Sequence, residues 1–221
     1  MKNYITLFVL FFALFSFAQL PKGFVYVQDS IPTLNVELRY YTANNFLGTR
    51  VDGYRSNRLI LTDKATQALK KIQAALEDNN MCLKVYDGYR PQRAVNHFIR
   101  WAKDLNDTIN KHIFYPRVKK AHLFAQGYIA SRSGHSKGST LDLTIIDGNT
   151  GEPLDMGSIF DFFGQESWVN YQNITDSQKS NRQLLQSIML KNGFRNYPKE
   201  WWHFTLRGEP FPGTYFDFEI K

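Results

Sequence analysis

Apolar positions at Ala65, Ala68, Leu69, Ile72, Ala75 and Leu76 recur at helical spacing. They predict a helix over 62–79, capped by Thr62 or Asp63. Leu83 and Val85 then flank Lys84, so 81–86 reads as a strand that ends at Asp87-Gly88. Pro91 suits the first turn of a second helix, whose apolar face is Ala94, Val95, Phe98, Trp101, Ala102 and Leu105. Residues 106–132 lack a period and read mostly as loop. Leu141, Leu143 and Ile145 mark one face of a strand over 141–146, with Asp142 on the other. A long ordered loop is expected over 147–175. A third helix follows over 176–190, closed by Gly193, then a strand over 201–206 and a last one over 215–220.

Helices and strands are interspersed, and the strands alternate apolar with polar positions. This favours an α+β fold with a mostly antiparallel central sheet flanked by helices over a doubly wound parallel sheet. The 221 residues are 43% hydrophobic, enough for one full core, so a single domain is expected over 19–221.

The first eighteen residues stand apart. A short basic start, Met1-Lys2-Asn3, precedes an uncharged apolar run from Ile5 to Phe17. Ser16 and Ala18 then stand at the −3 and −1 positions of a cut before Gln19. The pattern is a secretory signal peptide over 1–18, since a membrane span needs about 20 apolar residues. An uncleaved anchor is the alternative. The expected mature protein is exported, periplasmic or secreted, with no stable membrane anchor.

Net charge is +7, and removing residues 1–18 takes away only Lys2. A basic exported protein suits anionic wall polymers or membrane surfaces, or carries the charge for solubility alone. Its Lys-Lys pairs at 70–71 and 119–120 are isolated, which argues against nucleic-acid binding. Cys82 is the only cysteine, so an intramolecular disulfide and a thiolate zinc cluster are excluded. It sits in an apolar run and reads as a core residue.

The chemistry concentrates in two segments, S-G-H-S-K-G-S-T-L-D-L-T (133–144) and E-W-W-H (200–203). His135, Asp142 and His203 make a three-ligand zinc set that leaves a fourth position open. Glu200 neighbours the last ligand and is placed to act as base toward a water. Arg90, after Asp87, could stabilise an oxyanion or clamp a carboxylate. Each residue also has a plainer reading as a surface or turn polar group. His97, His112 and His122 read as structural or surface residues.

These residues resemble the D-alanyl-D-alanine dipeptidases, zinc enzymes related to the D,D-carboxypeptidases of cell-wall metabolism. The likeness runs from about Leu38 to the C-terminus. It covers L-R-Y (38–40), N-N-F (44–46), V-D-G-Y (51–54), 86–91, 133–144, M-G-S-I-F-D (156–161), 200–204 and 209–218. The resemblance implies one zinc ion held by His135, Asp142 and His203. It makes Glu200 the general base and later the proton donor, and has zinc and Arg90 stabilise the oxyanion. It places Tyr40 and Asp161 at the substrate's ammonium and Ser133 at the pocket. The implied substrate is a small D,D-dipeptide. A D,D- or L,D-carboxypeptidase acting on peptidoglycan stems is the alternative. Gly134 departs from relatives that carry serine there, so any contact from that side chain is lost.

Overall fold

The computed structural model describes residues 20–221, and the expected signal segment lies outside them. Its centre is a five-stranded sheet. The strands are β2 (Asn35–Val36), β4 (Met81–Asp87), β5 (Thr140–Asp147), β7 (Glu200–Leu206) and β6 (Phe194–Tyr197), in that spatial order. β2 pairs parallel to β4, and the other pairings are antiparallel. A separate two-stranded antiparallel sheet joins β1 (Phe24–Tyr26) to β3 (Ile60–Thr62). The expected α+β fold with a mostly antiparallel sheet is what the chain adopts.

Among the described residues three long helices flank the sheet, with two short ones, α1 (Val27–Ser30) and α4 (Lys111–Phe114), in the connections. Helix α2 (Asp63–Glu77) begins at Thr62, whose side chain accepts a hydrogen bond from the Ala65 N–H, and buries Ala65, Leu69, Ile72 and Leu76. Helix α3 (Gln92–Lys103) starts after Pro91. It stops two residues short of Leu105, which is exposed instead of completing the apolar face. Helix α5 (Asp176–Lys191) opens with a reciprocal Thr175–Gln178 capping box, and Gly193 follows it at φ +89°.

β5 is buried along nearly its whole length, and Leu141, Leu143 and Ile145 occupy one face as their alternation predicts. Cys82 is only half-buried, because β4 turns Leu83 and Val85 to the core and leaves Cys82 and Lys84 on its other side.

The expected strand over 215–220 does not form. Only Ile220 makes a bridge, to Tyr54. Phe216 and Phe218 do alternate inward, packing edge-on to Phe24. Their backbone groups, however, bond to scattered partners. Phe216 N–H donates to Ser136 O, Phe218 N–H to the Tyr89 hydroxyl, and Ile220 N–H to Gly53 O. The segment is therefore an extended strap over three different loops.

The 147–175 connection is ordered, as expected, by one buried side chain. Arg182 donates to the carbonyls of Met156, Trp168 and Glu166, while burial lowers its pKa to about 10. Trp201 of β7 adds a bond from its indole N–H to Ser158 Oγ. These contacts hold the segment that carries Asp161.

Candidate active site

Asp87, Asp142 and His203 lie side by side across β4, β5 and β7. The Cα partners are Asp87 with Asp142, and Asp142 with His203. Each strand thus contributes one polar residue to a single row. His135 comes from outside the sheet, on a 3₁₀ turn over Gly134–Lys137 whose first backbone N–H groups include that of His135, held by Ser133 Oγ. The turn ends at Gly138, φ +80°, where an added Cβ would lie 2.1 Å from the Phe24 ring. Only glycine fits there, so the turn runs straight into β5.

The donor atoms converge. His135 Nε2 lies 3.3 Å from His203 Nδ1 and 3.3 Å from Asp142 Oδ2, and His203 Nδ1 lies 3.0 Å from Asp142 Oδ1. A tetrahedral zinc with bonds of ~2.0–2.1 Å separates its ligand atoms by ~3.3 Å, so the 3.3 Å between the two ring nitrogens fits that ion, and one Asp142 oxygen lies close to each ring. Asp142 Oδ1 is buried and accepts no hydrogen bond among the described residues, despite the nearby imidazole. A buried carboxylate oxygen with no hydrogen-bond donor, 3.0 Å from a ring nitrogen, is a group that a bound cation would satisfy. His135 Nδ1 sits 2.8 Å from the Gly88 carbonyl. Only a protonated Nδ1 can bond there, which leaves the Nε2 lone pair for a metal.

Electrostatics agree. Burial alone would raise the Asp142 carboxyl, but the His135 and His203 rings hold it well below the usual range. Burial lowers the His135 pKa, which favours the neutral ring a ligand needs, whereas at His203 burial is outweighed by the Asp142 and Glu200 carboxylates, which raise it, so a metal there would have to displace a proton.

Glu200 Oε2 lies 3.3 Å from His203 Nδ1. Burial raises its carboxyl, against the pull of His203. Arg90 is bound to Asp87 through Nε at 2.8 Å and reaches Asp142 Oδ2 at 3.5 Å. The buried Asp87 also accepts the Tyr54 hydroxyl at 2.6 Å. Asp161 adopts φ +62°, unusual for a non-glycine residue, and accepts the Tyr40 hydroxyl at 2.7 Å. Burial and the Asp142 charge raise its pKa far above the ordinary carboxylate value.

All eight residues singled out in the sequence line one cavity of about 330 Å³: Tyr40, Arg90, Ser133, His135, Asp142, Asp161, Glu200 and His203. Aromatic rings including Phe98, Tyr128 and Phe163 form its walls. His112 and His122 are exposed, while His97 accepts the Asp52 N–H on α3, outside this cavity. Sequence reasoning missed Tyr54 and the Gly88 carbonyl. The Asp-Gly pair at the end of β4 was the available signal, but it reads first as a strand terminator.

Fold and site together define a zinc metallopeptidase. The family model described as "D-ala-D-ala dipeptidase", Peptidase_M15, matches residues 21–221. The D-alanyl-D-alanine dipeptidase of Enterococcus faecium is 39% identical over 90% of this chain and 98% of its own length. That of Streptomyces coelicolor is 42% identical over 89% and 98%, and that of Escherichia coli 31% over 79% and 80%. A solved vancomycin-resistance D,D-pentapeptidase VanY, in complex with Zn(II), aligns with a TM-score of 0.41 at 17% identity, covering 69% of this chain and 76% of that one. The chain belongs to the D-ala-D-ala dipeptidase family of metallopeptidases.

Proposed function

We propose that this protein hydrolyses the free dipeptide D-Ala-D-Ala, with zinc held by His135, Asp142 and His203. The observation that carries the reading is the buried Asp161–Tyr40 pair inside the same cavity as the metal set. A buried carboxylate with a raised pKa lacks a cation, and the ammonium of a free dipeptide supplies one. A cavity of about 330 Å³ suits a small ligand.

When bound, zinc supplies Lewis acidity, polarising the peptide carbonyl and making water nucleophilic near neutral pH. Glu200 takes the proton of the attacking water and delivers it to the departing amine. Arg90 stays charged, since Asp87 outweighs the effect of burial, and it donates to the oxyanion that develops on the carbonyl. Tyr40 and Asp161 fix the ammonium end, while Ser133 caps the His135 turn at the pocket wall.

The pattern over 1–18 supports export, so the substrate would be met outside the cytoplasm, in the periplasm or the medium, among products of wall turnover. No helix of the described residues is long and apolar enough to cross a membrane.

The test is parallel assay of D-Ala-D-Ala, its N-acetyl derivative and a pentapeptide ending in D-Ala-D-Ala, with metal analysis. Turnover of the free dipeptide alone is expected. Turnover of the pentapeptide alone would assign the protein to the carboxypeptidase alternative.

A further inference from the structure

A free dipeptide carries charge at both ends, and only one end has so far been matched. Two guanidinium groups line the cavity, Arg90 and Arg132. Arg90 is tied to Asp87 and Asp142 and, in the reading above, serves the oxyanion. Arg132 makes no ion pair and no side-chain hydrogen bond among the described residues. It is exposed yet borders the cavity, which puts it at the rim.

Its surroundings hold it there. The Arg132 guanidinium lies 5.1 Å from the centre of the Tyr215 ring. The next residue on that strap, Phe216, is tied at both backbone groups. Its N–H donates to Ser136 O at 2.9 Å, and its carbonyl accepts the Gln92 N–H at 3.0 Å. On the other side, Ser131 O accepts the Gln92 side chain at 3.1 Å. The backbone next to the arginine and next to its aromatic shelf is therefore anchored beside the His135 turn. Stacking on an aromatic face leaves the edge of the guanidinium, with its donor fork, free for a ligand.

Gly134 sharpens the point. Gly134 offers no side chain to the cavity, and a Cβ there would meet Thr140 Oγ1 at 2.9 Å. Among the residues lining the cavity, the cationic donor without an ion pair is Arg132.

We infer that Arg132 binds the free α-carboxylate of the substrate's second residue, with Tyr215 as its positioning residue. The inference rests on the dipeptidase reading and adds the determinant for a free C-terminus. Asp161 and Arg132 then measure the two charged ends of one zwitterion, so a blocked end of either kind is selected against.

The experiment compares D-Ala-D-Ala with its C-terminal carboxamide on the zinc-loaded wild type and on Arg132→Gln, Arg132→Lys and Tyr215→Leu. The wild type is expected to prefer the acid. Arg132→Gln should raise KM for the acid by about 10–100-fold, as expected for losing hydrogen bonds between charged groups, with kcat and zinc content nearly unchanged. Its acid-to-amide ratio of kcat/KM should fall toward one. Arg132→Lys should keep part of the preference, and Tyr215→Leu should weaken it less than Arg132→Gln does. An unchanged acid-to-amide ratio in Arg132→Gln, or an equal loss on both substrates, overturns the inference while leaving the dipeptidase reading intact. A zinc-loaded wild type that cleaves neither peptide overturns the dipeptidase reading, and this inference with it.

Discussion

Glu200 and His203 are three residues apart on one strand, yet Glu200 Oε2 lies 3.3 Å from His203 Nδ1. In a regular strand, residues at that spacing point to opposite faces. The register between β6 and β7 explains the convergence. Asn196 pairs with Phe204, but the next residue, Tyr197, pairs with Glu200. The intervening residues of β7 bulge, and the strand bends Glu200 round to the side of the ligand.

That geometry makes Glu200 separable from metal binding. Glu200→Gln should retain zinc and fold normally, while kcat falls by about 10²–10⁴-fold, the usual worth of a positioned acid–base group. Metal analysis alongside turnover of D-Ala-D-Ala checks it. Wild-type kcat in the zinc-loaded variant would remove Glu200 from the mechanism.

Asp87 bears on three groups at once. It accepts from Tyr54 and Arg90, and its Oδ2 lies 3.5 Å from His135 Nδ1. Asp87→Asn should therefore lower both zinc affinity and kcat/KM, each by about 10–100-fold, as lost support of a metal ligand typically does. It should also lower the denaturation midpoint, since Arg90 would keep its charge without its main partner. Zinc titration with a competing chelator and urea unfolding read the two effects separately.

His97 predicts a pH dependence of stability away from the site. Burial lowers its pKa, against the pull of Asp52, and its Nδ1 accepts the Asp52 N–H at 3.2 Å, a role only the unprotonated nitrogen can fill. The folded state therefore binds a proton less readily than the unfolded chain. The contribution is complete above the unfolded value of ~6.5 and is lost as pH falls from there through the folded value. Urea midpoints at pH 7.5, 6.5 and 5.5 should decline more steeply for the wild type than for His97→Gln. Parallel declines would show that His97 is not the titrating group.

That His135, Asp142, Glu200, His203 and Arg90 belong together was legible because they are chemically distinctive and sit near the ends of readable strands. β4, β5, β7 and the three long helices each carry enough periods to announce themselves. β1, β2, β3 and β6 do not, being two to four residues long, too short for alternation to show. The strap over 215–220 misled for the opposite reason. Phe216, Phe218 and Ile220 alternate like a strand, but alternation records which side faces the core, not whether a neighbour strand is present. Asp161 carried no local signal either. Its place in the cavity depends on a left-handed backbone and on Arg182, far along the chain, which no spacing rule connects to it.

The strap also has a consequence for when the molecule becomes active. His203 and residues 215–220 follow all three long helices along the chain, and the backbone of the strap ties down the turn that carries His135 and the loop that leads into Arg90. A growing chain can build most of its sheet and all three long helices while its metal set is still incomplete. The metal set therefore closes only when His203 and the strap join elements that are already built.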